Sequence, residues 1–267
     1  MNPGLTLTTL LLLWSCSRIL SLQEDLGPEG DPSEGLDVLD VSTRILLANQ
    51  GIDNLEEGDM LPSYTRTAKK CWRNRCLWPK TSDGLVKVPY IISDTYNAND
   101  KAKIKGAMNV FHTKTCIRFT PRNDEQDFLS IEDKYGCWSK VGKYGYRQVL
   151  SLSVNYCLYS GVIQHELNHA LGFYHEQNRS DRDQYVRINW ENIQSDAAYN
   201  FKKRDTDNLG TPYDYSSLMH YSRMSYATHY SKETITPIPD PSVQIGQKYK
   251  LSDTDILRIN KLYHCSE

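Results

Sequence analysis

Apolar and polar positions change period several times along the chain, and the changes mark its elements. Leu5 to Trp14 is an apolar run with interspersed threonines, shorter than the roughly 20 residues that span a bilayer, and the small residues Ser15, Ser17 and Ser21 follow it. It predicts a signal peptide cleaved between Ser17 and Leu22, although its start carries no Lys or Arg. Lys87 to Ser93 is rich in β-formers, whereas Asp100 to Phe111 sets Ile104, Ala107, Met108 and Phe111 at helical spacing, so a strand followed by a helix is expected. Further β-type runs cover Cys116 to Thr120, Phe128 to Glu132 and Gln148 to Ser153, and a helix is expected from about Ser160. Beyond His175 the chain is rich in Asn, Asp, Tyr, Pro and Ser and shows little apolar period. A last helix carries Ile256, Ile259 and Leu262, with Ser252 and Asp255 fitting a capping-box variant at its start. The pattern implies a sheet-and-helix N-terminal half and an irregular C-terminal half. No segment after the signal peptide is apolar enough for a membrane helix.

Charge then divides the chain. Gln23 to Arg66 holds 11 Asp+Glu against 2 Lys+Arg, net −9, while Thr67 to Glu267 holds 28 Lys+Arg against 22 Asp+Glu, net +6. An acidic leader containing Gly and Pro, set before a basic body long enough for one full core, suggests a pro-segment over 23–66 rather than a second domain. Arg66 offers a tryptic-type processing point just before Thr67. Basic stretches with aromatics, such as Lys69 to Lys80, do not amount to a nucleic-acid motif, and no repeat or phosphate-cradling glycine loop is present. Of seven cysteines Cys16 leaves with the signal peptide; Cys71, Cys76, Cys116, Cys137, Cys157 and Cys265 form an even set, so disulfides are favoured in an exported chain. Spacing alone leaves 15 pairings open.

The densest chemistry is the run His165-Glu166-Leu167-Asn168-His169-Ala170-Leu171-Gly172-Phe173-Tyr174-His175. On a helix His165 and His169 lie one turn apart on one face and can share a metal ion, with Glu166 beside it as a general base. His175 comes too late for that face of a continuing helix; Gly172 accepts positive φ and lets the chain turn back. Three histidines leave a fourth zinc position for water, as in catalytic rather than structural sites. Random placement would produce the whole pattern about 10⁻⁵ times in a chain of this composition, so chance is set aside. The extended run followed by a methionine turn is the metzincin signature, and Ser217-Leu218-Met219-His220-Tyr221 supplies the candidate turn. Met219 alone would more often be core filler. His112, His220, His229 and His264 have no partner pattern and read as structural or surface residues.

HELNHALGFYHE over His165 to Glu176 and SLMHY over Ser217 to Tyr221 closely resemble the astacin signatures HExxHxxGFxHE and SxMHY, and the likeness extends over residues 67 to 267. The early Cys71-Trp72 and Cys76, together with Arg179-Ser180-Asp181-Arg182-Asp183 and Thr211-Pro212-Tyr213-Asp214-Tyr215, narrow it to the six-cysteine fish hatching (choriolytic) enzymes. The resemblance implies an α+β metzincin fold of two subdomains with one Zn²⁺ per chain in the cleft between. It implies His165, His169 and His175 as ligands, Glu166 as base and then proton donor, and Tyr221 as a mobile ligand that leaves the metal to bind the oxyanion. Glu57-Gly58-Asp59-Met60 resembles the family's pro-segment motif, which makes Asp59 the latency switch; unaided by the likeness it would be a solvated acidic turn at even odds. The likeness further places the new α-amino group, made near Arg66 by an activating protease, beside Glu176, and pairs Cys116 with Cys265, Cys137 with Cys157 and Cys71 with Cys76. Asn178-Arg179-Ser180 forms a glycosylation sequon.

The expectation is a secreted monomeric zinc endopeptidase made as a zymogen, stored in secretory granules or released directly, acting on egg-envelope glycoproteins and not on membranes or nucleic acid. A six-cysteine astacin of lymphoid, digestive or mucosal tissue is the enzyme alternative. A catalytically dead astacin-fold binding module is the other, and it would lack a ligand or the base; here none is missing.

Overall fold

The computed structural model describes residues 39–62, 76–247 and 249–265. The expected signal peptide, Arg66, Thr67 and Cys71 lie outside them. A five-stranded sheet is built from β1 (Val86–Ile92), β2 (Ile117–Pro121), β3 (Phe128–Glu132), β4 (Cys137–Trp138) and β5 (Arg147–Leu152), in the order β2-β1-β3-β5-β4. β1 runs parallel to both β2 and β3, and β3 to β5; only the edge strand β4 is antiparallel, pairing Cys137 with Leu152. Every residue of β3 is buried, as suits a strand paired in parallel on both sides.

Helix α2 (Ala98–Lys114) begins on a capping box of Asn97 and Asp100 and buries Ile104, Ala107, Met108 and Phe111, the spacing seen in the sequence. Helix α3 (Ser160–Ala170) is buried from Gly161 to Ala170, and α4 (Asp253–Leu262) starts on the expected Ser252–Asp255 capping box. The C-terminal half is short 3₁₀ turns, plus a two-stranded antiparallel sheet of β6 (Val186–Ile188) and β7 (Ile235–Pro237) that three-residue runs did not reveal. Two disulfides join Cys116 to Cys265 and Cys137 to Cys157, as the resemblance implied. The first closes a loop of 149 residues and ties the end of α4 to the start of β2. Cys76 is also disulfide-bonded.

The leader contains an element that its acidity concealed. Residues Val41–Ala48 form a helix, α1, capped by Asp40, whose side chain accepts from Thr43 N. Val41, Ile45 and Ala48 are at most 2 % exposed and belong to the main core. Burying Val41 and Ile45 contributes about 1.5–3 kcal/mol each. The compact unit accordingly begins at Asp40.

Two cores result. One gathers the large sheet with α1 to α4; the other gathers Val186, Ile188, Ile193, Phe201, Tyr213, Tyr221 and Ile235. The histidine helix belongs to the first core and Tyr221 to the second, so the motif residues meet where the cores adjoin.

Candidate metal centre

Helix α3 ends at Ala170 and Gly172 adopts φ +110°, so the chain leaves the helix where the sequence suggested. His175 then returns against His165 and His169, with ring centroids 5.2 and 4.8 Å away. Each imidazole is oriented through Nδ1: His165 donates to Leu218 O (3.1 Å), His169 to Phe173 O (2.7 Å) and His175 to Glu57 Oε2 (2.9 Å). Those bonds fix the tautomers and leave three Nε2 atoms pointing at one place. Asp59 fills it: Oδ2 lies 3.0 Å from His165 Nε2 and 3.1 Å from His175 Nε2, and Oδ1 lies 3.4 Å from His169 Nε2.

The donor set fits a divalent cation. Ligand atoms of Asp59, His165, His169 and His175 lie within 4.8 Å of one another, all buried. His169 Nε2, Asp59 Oδ1 and both Glu166 oxygens are buried without a hydrogen-bond partner, and such orphans call for an explanation. The Nε2 atoms of His165 and His175 are 3.3 Å apart, a repulsive approach of lone pairs unless positive charge lies between them. Against the opposing effect of burial, Asp59 and Glu57 raise His175 to about 9. Burial meanwhile lowers His165 to about 4, with Asp59 opposing. Imidazole nitrogens and a carboxylate with an enclosed fourth position suit zinc.

The methionine turn acts through its backbone. Asp255 on α4 accepts from Ser217 Oγ (2.6 Å) and Leu218 N (2.9 Å), and Leu218 O then orients His165. Met219 is buried, and its carbonyl accepts from Glu176 N (2.9 Å). The Tyr221 ring packs 4.8 Å from that of His175, and its hydroxyl donates to Glu57 O. Glu166 is fully buried on α3; burial and the nearby Asp59 carboxylate push its acidity weaker.

Glu176 is held by this chain's own cations. Arg258 on α4 donates Nη1 to Oε2 (2.6 Å) and Nη2 to Oε1 (2.8 Å), Arg179 adds a bond at 3.2 Å, and Asp214 N another at 2.7 Å. Arg258 and Arg204 were not singled out by motif, and Glu57 only as part of the leader motif, because each acts through a partner distant in sequence. Asn178, the sequon residue, is fully buried and donates Nδ2 to Asn200 O (2.7 Å). His220 is structural, bridging Tyr213 Oη and Tyr221 O.

The model of the astacin peptidase family matches residues 73–264. The chain belongs to the astacin family. It is 51 % identical to high choriolytic enzyme 1 of Oryzias latipes over 263 residues, covering 97 % of each chain. Low choriolytic enzyme of the same fish is also 51 % identical, over 96 % of each. The solved structure of high choriolytic enzyme 1, a hatching-enzyme zinc protease from medaka, superposes with TM-score 0.73 at 57 % identity, covering 74 % of this chain and 99 % of that one. This astacin is therefore a metalloendopeptidase closely related to fish hatching enzymes, with the fold the motif implied. Among the described residues no helix is long and apolar enough to cross a membrane.

Proposed function

We propose that this astacin is exported as a latent zinc endopeptidase and, once its leader is removed, cleaves egg-envelope glycoproteins. The observation that carries latency is the Asp59 carboxylate lying against all three Nε2 atoms, where an attacking water is needed. Leader backbone holds it there: Leu61 N donates to Ser139 O (2.9 Å) and Ser139 N to Asp59 O (3.0 Å). Gly58 is required for the approach, since at φ +80° an added Cβ would lie 2.3 Å from Tyr226 Oη. The apolar start of the chain and its disulfides support export. The envelope substrate rests on the kinship with choriolytic enzymes.

His165, His169 and His175 would hold zinc, which when bound would supply Lewis acidity toward the scissile carbonyl and make water more acidic. Glu166, freed of the neighbouring Asp59, takes a proton from the attacking water and delivers it to the departing amine. Tyr221, released from Glu57 O, donates to the oxygen that gains negative charge. Glu176, anchored by Arg258 and Arg179, receives the new α-amino group made near Arg66.

The test compares uncut wild type, uncut Asp59→Asn and wild type processed at Arg66, on casein and on isolated egg envelope. Silence of the uncut wild type, leakage from Asp59→Asn and envelope swelling or dissolution after processing are expected. Full activity in the uncut wild type would overturn latency. Casein cleavage without any effect on the envelope would overturn the substrate and favour a tissue protease.

A further inference from the structure

The leader is seated by contacts that a cut at Arg66 does not touch. Its described stretch ends at Pro62, ahead of that cut. Within the stretch Val41, Ile45 and Ala48 belong to the main core, and Leu55 and Met60 are buried as well. Polar contacts join the same stretch to both halves of the body. In the C-terminal half Val41 N donates to Gln247 O (2.9 Å), Ser222 N to Ser42 Oγ (2.9 Å) and Tyr199 Oη to Leu55 O (3.3 Å). In the N-terminal half Asn49 meets the edge strand β4 as a backbone partner would: Nδ2 donates to Cys137 O (2.6 Å) and Oδ1 accepts from Cys137 N (2.7 Å).

The leader also carries a hidden cut site. Besides Arg66, the basic residue of 23–66 is Arg44. It lies on α1, is 5 % exposed and holds its guanidinium carbon 3.8 Å from the centroid of the Tyr159 ring. A trypsin-type protease needs an extended chain and an arginine free to enter its pocket, and a docked α1 offers neither. A leader out of its groove offers both, because a helix of 8 residues is marginal alone in water.

We infer that the leader cut at Arg66 stays on the body as a non-covalent inhibitor, and that a second cut, at Arg44 of a leader that has left its groove, makes activation irreversible. The partner this surface fits is segment 40–62 of the same chain. Cutting the tether replaces an effective concentration of roughly mM with that of free leader, so occupancy weakens although no described contact is lost. Rebinding then competes with activity until water hydrolyses the Arg44–Ile45 bond, leaving a carboxylate on Arg44 and an amine on Ile45. That cut splits α1 and parts Val41 from Ile45 and Asp59. The activity expected after processing thus belongs to leader-free enzyme. The inference rests on the proposed latency and on processing at Arg66.

The test starts from the full chain, cut briefly with bead-bound trypsin until mass spectrometry finds Arg66 cleaved and Arg44 intact, then separated from the beads. At micromolar concentration leader and body should co-elute on size exclusion, and casein cleavage should stay suppressed. Dilution to nanomolar should bring activity out, and adding back leader purified from the digest should silence it again. Added leader carrying Ile45→Asp should inhibit about 10- to 100-fold less well, the scale of one buried aliphatic side chain. That substitution sits only in the added peptide, so folding of the body does not enter. With trypsin left in place, cleavage at Arg44 should follow that at Arg66, and activity should rise in step with it. A leader that elutes apart, with full activity as soon as Arg66 is cut, overturns the inference while leaving latency intact, as does added leader that fails to inhibit. Cleavage at Arg44 ahead of Arg66 overturns the order of the two cuts. Full activity of the uncut chain overturns latency and this inference together.

Discussion

Replacing Arg258 with Met should destabilise this astacin severely, although the residue is far in sequence from the histidine run and the methionine turn. Arg258 makes four hydrogen bonds: two to Glu176, one from Nε to Thr211 Oγ1 (2.9 Å) and one from Nη2 to Pro212 O (2.8 Å). It is 6 % exposed and Glu176 is 3 % exposed. Methionine fills the volume, so the main loss is electrostatic. Stranding one member of a buried ion pair costs about 3–5 kcal/mol. Arg179 still faces Glu176 Oε1 at 3.2 Å, which favours the lower end, about 3 kcal/mol. In a chain of this size each kcal/mol moves Tm by about 2–4 °C, so a fall of about 6–12 °C is expected. Thermal unfolding by calorimetry on wild type, Arg258→Met, Glu176→Gln and the double variant completes a cycle. The double variant should lose less than the two singles together, because each strands the other's partner. A fall under about 2 °C, or strict additivity, would refute the view that Glu176 depends on Arg258.

Glu166→Gln in the processed chain should lower kcat by about 10²–10⁴-fold while metal content by atomic spectroscopy stays at wild type; wild-type-like turnover would sink its role as base. Chelation followed by dialysis should abolish activity and added Zn²⁺ should restore it, whereas activity that survives metal depletion contradicts the three-histidine centre. Exported folded protein should carry no glycan at Asn178, because the side chain is buried and bonded to Asn200 O; an occupied site in peptide mass spectrometry would show otherwise. Non-reducing peptide maps should pair Cys116 with Cys265, Cys137 with Cys157 and Cys71 with Cys76.

How much could be read in advance depended on how far apart the interacting residues lie along the chain. The helix through His165 and His169, its stop at Gly172 and the capping box of Ser252 and Asp255 are local: each needs only a few neighbouring residues and a backbone period. The runs that became β1, β2, β3 and β5 were legible for the same reason. Helix α1 was not, because the charge of the leader masked Val41, Ile45 and Ala48, whose burial has meaning only against the body. β6 and β7 were missed because three residues carry no period, and their pairing brings Val186 to Pro237.

The sequence by itself determined the zinc-type donor set, the carboxylate beside it and the family, since a metal-ligand spacing on one helix is set by covalent geometry. Tertiary structure alone decided the rest. It brought Asp59 across 106 residues to His165, and Glu57 across 147 to Arg204. It buried the sequon and closed Arg258 on Glu176 across 82 residues. Such contacts arise from the packing of two cores against one leader, and desolvation in that packing gives each charge pair its weight.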